Sequence, residues 1–250
     1  VFGGTLAGSR GTVTITLIAI NVVVAILALV YAGGRGLVGG GFGGLMGGIT
    51  PLLEQGAVLG QTGYQNTQTG AQFFGPAGIA SGEYYRLFTA MFLHYGALHL
   101  LMNMWALWVL GRTLEAALGS VRFLVLYLVA GLAGNVAAYV FAPSALSAGA
   151  STAIFGLFAA LFIVMKRLRR DTSSIVPILV INIAISFLPG VSLAGHFGGL
   201  VAGAVVAFAL AYAPAKTRNL MVTGTVLGLL GVMVVAVVLK TASLQAFVPI

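Results

Sequence analysis

Apolar side chains run along this chain in seven blocks: residues 12–32, 96–113, 121–142, 151–167, 174–189, 195–213 and 219–240. A helix needs roughly 17–25 apolar residues to cross about 30 Å of hydrocarbon, and the blocks fall at or near that length. The pattern predicts an all-α fold, a polytopic transmembrane helical bundle joined by short loops. The first block is longer than the core of a signal peptide and lacks an Ala-x-Ala exit, so it is predicted to be a retained helix. Val1 in place of an initiating Met is compatible with further residues upstream.

Composition strengthens this picture. The chain is 60% hydrophobic and only 6% charged, with a mean hydropathy of +1.09, whereas soluble domains carry roughly 25% charged residues. Lys and Arg (12) outnumber Asp and Glu (4), but the cations sit beside apolar blocks, as topology determinants do, and not in a nucleic-acid-binding patch. With the N-terminus inside, Arg10, Arg112, Arg122, Lys166, Arg167, Arg169, Arg170, Lys216 and Arg218 face the cytoplasm, and Arg35, Arg86 and Lys240 lie outside. The absence of Cys excludes disulfides, thiolate nucleophiles and cysteine-ligated zinc. Three His and four acids are too scattered for a metal cluster, so no metal and no cofactor are expected.

Residues 33–95 form the one long connection. Gly33 to Gly48 is glycine-rich yet apolar, and it is predicted to lie partly in the outer leaflet. Thr50-Pro51 reads as an N-cap followed by Pro at the first helical position, predicting a short helix through Leu52, Leu53 and Val58. Gln61 to Gly82 is polar and turn-rich. Connections of this length inside a compact domain are commonly functional.

Candidate chemistry lies where polar side chains interrupt apolar blocks, at a cost of about 3 kcal/mol or more each if they faced lipid. His99, Asn103, Ser151 and His196 are such residues. Under the inside-first orientation, the second, fourth and sixth blocks all run inward from outside. His99, Ser151 and His196 each stand near the start of one of them, at a shared outward depth. Four residues separate His99 from Asn103, which places them on one helix face. Ser151 falls at a helix N-terminus, where unpaired N–H groups and the helix dipole suit an oxyanion, and Gly149 allows close backbone approach. His196 is the candidate base. Glu115 and Asp171 lie on the cytoplasmic side and Glu54 and Glu83 belong to the first loop, which favours a Ser–His dyad over a triad. Gly199 and Gly203 give the sixth helix a small-residue face for the fourth, and Phe155, one turn after Ser151, is placed to lie under the imidazole. Glu115 is expected to pair with Arg112 or Arg122, and His94 is read as structural.

Glu83-Tyr84-Tyr85-Arg86, the run from Phe92-Leu93-His94 to His99 and Asn103, Gly111-Arg112 to Glu115, Gly149-Ala150-Ser151 and His196 to Gly199 to Gly203 resemble, in order and spacing, the signature of rhomboid intramembrane serine proteases. The resemblance implies a six-helix core over 12–213, including the first loop 33–95, preceded by a cytoplasmic segment 1–11 and followed by one additional C-terminal helix, 219–240. It implies Ser151 as nucleophile, His196 as base, and an oxyanion hole from His99, Asn103 and the Ser151 N–H. It further implies that Tyr85-Arg86 organises the first loop and that Pro189 to Gly195 caps the site. Thr152 departs from the usual small residue after the nucleophile, and Tyr84-Tyr85 from the commoner Trp. Expected partners are single-span or other transmembrane proteins as substrates, within the lipid bilayer of a bacterial plasma membrane, with the site opening outward. The alternative implied by the family is a non-catalytic membrane chaperone that binds such clients. The sequence is silent on oligomeric state.

Overall fold

In the computed structural model, the described residues are 10–33, 48–60, 64–65, 72–73, 78–173, 175–188 and 190–245. The glycine-rich 34–47 stretch and Pro189, with which the expected cap begins, lie outside them. Helices α1 (Thr12–Tyr31), α2 (Pro51–Gly56), α3 (Arg86–Thr89), α4 (Gly96–Leu118), α5 (Ser120–Phe141), α6 (Ser151–Arg167), α7 (Ile175–Ile185), α8 (Leu193–Tyr212) and α9 (Arg218–Gln245) follow in order. Within the first loop, Tyr64–Gln65 and Gln72–Phe73 pair as a minimal antiparallel ribbon.

Each of the seven apolar blocks contains a helix. Among the described residues, α1, α5, α8 and α9 are long and apolar enough to cross a membrane, and α4 joins them when counted with the Arg86–Phe92 segment, which meets it at 88°. Helix α6 has 17 residues and α7 only 11. The expected helix over 174–189 is therefore shorter than its hydropathy. Past Ile185 the chain tightens into i+3 turns, with the Phe187 N–H bonding the Ala184 carbonyl and the Leu188 N–H that of Ile185. Hydropathy registers tolerance of lipid along such a stretch without registering where the i→i−4 ladder stops.

The core is a three-helix stack of α5, α6 and α8. Gly156 and Gly203 bring α6 and α8 together so closely that a Cβ on Gly203 would lie 2.3 Å from the Gly156 Cα. A Cβ on Gly199 would lie 1.9 Å from the Thr152 carbonyl oxygen. Without a large hydrophobic drive between helices in lipid, this backbone-to-backbone contact is what van der Waals attraction can use. Thr152 is buried, and the Gly134 and Gly195 backbones lie against its side chain, which gives its β-branch room.

Two further contacts close the bundle. Glu115, buried near the end of α4, accepts the N–H groups of Val13 (3.0 Å) and Thr14 (2.9 Å) and the hydroxyls of Thr14 (2.8 Å) and Ser120 (2.7 Å). The expected pairing with Arg112 or Arg122 does not occur. Gly11 offers α1 no side-chain cap, so a carboxylate from another helix satisfies its first amides and complements its dipole. Arg122 instead reaches the Asn219 side chain, and Arg112 lies over Trp108. At the other face, Gln245 of α9 donates to the Ala80 carbonyl at 2.7 Å, and Tyr139 meets Thr241 at 2.8 Å.

Candidate active site

The first loop supplies the frame. Thr50 caps α2 by accepting the Leu53 N–H, and Pro51 occupies the first helical position as predicted. The helix stops before Val58, however, because Val58 leaves it to pair with Ser147 through two backbone hydrogen bonds of 2.8 and 3.0 Å. Fully buried Arg86 ties this loop together, with its Nε 2.6 Å from Glu83 and its Nη1 donating to the carbonyls of Glu54 (2.7 Å) and Ala57 (3.0 Å). Tyr95 donates its hydroxyl to Leu146 at 2.8 Å, and Gly149 donates its N–H to Ala90 at 2.9 Å. The loop entering α6 is thus held from residue 146 to residue 149.

Gly149 adopts φ +136°, and a Cβ there would meet the His99 ring at 2.8 Å and the Ser151 Oγ at 3.3 Å. Only glycine admits both that backbone conformation and the close approach of the imidazole. Ser151 is the first residue of α6, whose first intrahelical bond is Ile154 N–H to the Ala150 carbonyl. The Ser151 amide therefore lies among the unladdered N–H groups at the positive end of the dipole. The Nδ1 of His99 accepts the Tyr95 N–H at 3.3 Å. Its proton then sits on Nε2, the edge that faces Gly149 near Ser151. Asn103 is buried, and its Nδ2 has no partner.

Across the α6–α8 seam, His196 Nε2 lies 2.9 Å from Ser151 Oγ. The Phe155 ring stacks on the imidazole with centroids 4.1 Å apart and planes at 15°. Gly199 and Gly203 allow this approach by letting α8 settle against Thr152 and Gly156. Ser151, His196, Phe155, His99 and Gly149 are thus assembled in one place, while Arg86 lies in the supporting loop. His94 lies beside this group, its ring edge-on to His99 at 5.1 Å.

Sequence reasoning passed over Ser186. It follows α7, is 1% exposed, and places its Oγ 2.6 Å from His196 Nδ1. The same hydroxyl donates to the Asn182 carbonyl at 2.9 Å. The available signal was a serine in an apolar block with Asn182 four residues earlier, a pattern shared by any hydroxyl satisfied within its own helix. Among the described residues, no group of His and acids is arranged to hold a metal ion.

A family model described as the rhomboid domain matches residues 81–213. Over 138 residues the chain is 44% identical to the rhomboid protease GluP of Bacillus subtilis, an alignment covering 53% of this chain and 27% of that protein. It is 35% identical over 143 residues to the mitochondrial RHOMBOID-like protein 6 of Arabidopsis thaliana, covering 54% and 47% respectively. It is 36% identical over 138 residues to YdcA of B. subtilis, provisionally named a rhomboid protease, covering 52% and 69%.

Proposed function

This chain belongs to the rhomboid family, and from that premise we propose that it is an intramembrane serine endopeptidase that hydrolyses peptide bonds in or near transmembrane segments of other membrane proteins. The 2.9 Å contact between Ser151 Oγ and His196 Nε2 carries this reading. It joins a nucleophile at a helix N-terminus to a base on the neighbouring helix. His196 takes the Ser151 proton as Oγ attacks the scissile carbonyl carbon, and the carbonyl π electrons move onto oxygen. The oxyanion is received by the Ser151 N–H, His99 Nε2–H and Asn103 Nδ2–H, donors that need no reorganisation as charge develops. Asn103 Nδ2, buried without a partner, is the kind of group a transition state can satisfy. The imidazolium then protonates the leaving amine, and water, activated by the same base, releases the acyl group from Ser151.

The core over 12–213 carries this chemistry in our reading, with α9 as an addition bound to its flank. The count of flanking cations supports a cytoplasmic N-terminus and a site open to the far side of a bacterial plasma membrane. A substrate segment, unwound at that depth, would approach between α4 and α7 and align with the framed loops by backbone pairing.

The test is cleavage of a single-span reporter in proteoliposomes, followed by gel and mass spectrometry, for the wild type and Ser151→Ala. The expected outcome is one defined cut by the wild type and none by the variant. Equal cutting by both would eliminate Ser151 as nucleophile. Binding of reporters without any cutting, over a panel of substrates and with intact fold, would favour a chaperone instead.

A further inference from the structure

We propose that Ser186 is a positioning residue for the base: a neutral third member that fixes the tautomer and orientation of His196 from the end of α7. The inference rests on the reading of Ser151 and His196 given above. Three contacts lie in a row: Ser151 Oγ to His196 Nε2 at 2.9 Å, His196 Nδ1 to Ser186 Oγ at 2.6 Å, and Ser186 Oγ to the Asn182 carbonyl at 2.9 Å.

The Asn182 carbonyl, which also accepts the Ser186 N–H at 3.1 Å, has no proton to give, so the last contact is a hydrogen bond only when the Ser186 hydroxyl proton fills it. The Ser186 oxygen can then only accept from the imidazole, which puts the His196 proton on Nδ1 and leaves the Nε2 lone pair facing the Ser151 hydroxyl. All three contacts are hydrogen bonds in that arrangement, and they polarise one another in one direction. The opposite tautomer has Ser186 donating to Nδ1 and leaves the Asn182 carbonyl facing a hydroxyl with no proton to offer. One contact is lost, and Nε2 can no longer act as a base.

A hydroxyl in this place differs from the carboxylate of a Ser-His-Asp triad. It orients the ring and selects the tautomer but brings no charge to stabilise the imidazolium. Stacking on Phe155 holds the ring plane, which leaves rotation within that plane for Ser186 to set. Helix α7 is otherwise thinly attached. Among its own residues only Ile175, at the opposite end, is buried. Ser186 is therefore the point at which the position of α7 is communicated to the base.

The experiment compares the full chain with Ser186→Ala and Ser186→Thr in the same proteoliposomes, with Ser151→Ala as reference. Its readouts are kcat and KM separately, together with nitrogen-15 spectra of the imidazoles. The His196 signals are identified by their loss in His196→Ala. Ser186→Ala should lower kcat about 10- to 100-fold, less than the ~10⁴-fold that accompanies the wrong tautomer in a carboxylate triad. KM should stay within about threefold. Ser186→Thr, which retains the hydroxyl, should recover most of the rate. The wild-type spectrum should show His196 protonated at Nδ1, and Ser186→Ala should populate the Nε2–H form. Wild-type kcat in Ser186→Ala, or a wild-type His196 protonated at Nε2, would overturn the proposal. If neither Ser186 variant folds, the wild-type spectrum decides alone. Cleavage surviving in Ser151→Ala would refute the protease mechanism instead, a result separable from the tautomer.

Discussion

The two helices on either side of the α6 chain segment are held in opposite ways. Helix α8 meets α6 through glycines with backbone against backbone, and α6 is buried without interruption from Thr152 to Leu161. Helix α7 packs chiefly against α6, is 11 residues long, and turns Val176, Ile178, Val180 and Ile181 outward. His196 stands where these regimes meet. Its Nε2 faces the tightly set Ser151 and its Nδ1 faces Ser186 on the thinly attached side. One imidazole thus bridges a closely packed seam and a sparsely packed neighbour.

The sharpest way to break this contrast is to force the seam apart. Gly199→Val would drive a side chain into the Thr152 carbonyl, and we expect a loss of more than about 3 kcal/mol together with cleavage, measured by thermal unfolding in detergent and by reporter assay. If Gly199→Val left both unchanged, the tight seam would not exist in the membrane. A smaller effect is expected where the seam meets the loop. Gly149→Ala adds a Cβ against His99 at a strained φ, for about 1–3 kcal/mol. We expect cleavage to drop on the order of 100-fold, as when an oxyanion donor is misplaced, and steady-state kinetics on the folded fraction would report it. Next comes the stack on the base. Phe155→Leu keeps an apolar side chain of similar bulk but removes a ring contact worth about 0.5–1.5 kcal/mol, so kcat should fall a few-fold in the same assay. The comparison itself is sharpened by a matched pair. Ile154→Ala on buried α6 should cost about 2–4 kcal/mol, whereas Ile181→Ala on exposed α7 should stay within about 0.5 kcal/mol. Similar losses in the two would show that α7 is held as firmly as α6.

Hydropathy made the bundle legible, since each apolar block contains a helix and the polar residues inside blocks marked where to look. The depth argument brought His99, Ser151 and His196 to one level, and the structure brings all three within one cluster. What escaped the sequence was side-chain partnership. Ser186 is satisfied by Asn182 four residues earlier and by His196 ten residues later, and only the second contact carries information. Glu115 was assigned the nearest cations, yet three of its four hydrogen bonds come from Val13 and Thr14, 102 and 101 residues away at the start of α1. Helix-neighbour rules operate over three or four residues and cannot see such contacts. The length of α7 was misjudged for a related reason, because a lipid-tolerant side chain says nothing about where backbone hydrogen bonds change register.

That short helix also constrains the lipid beside it. At 1.5 Å per residue, the 11 residues of α7 cover about 16 Å, while the 20 of α1 cover about 30 Å, the thickness of an ordinary hydrocarbon layer. The annulus around the molecule is consequently uneven, and acyl chains beside α7 must shorten or splay, at a fraction of a kcal/mol per Å of mismatch. Bilayer thickness thereby becomes a variable of this protein's working environment: a thicker membrane deepens a mismatch already present beside α7 and opens a new one beside α1.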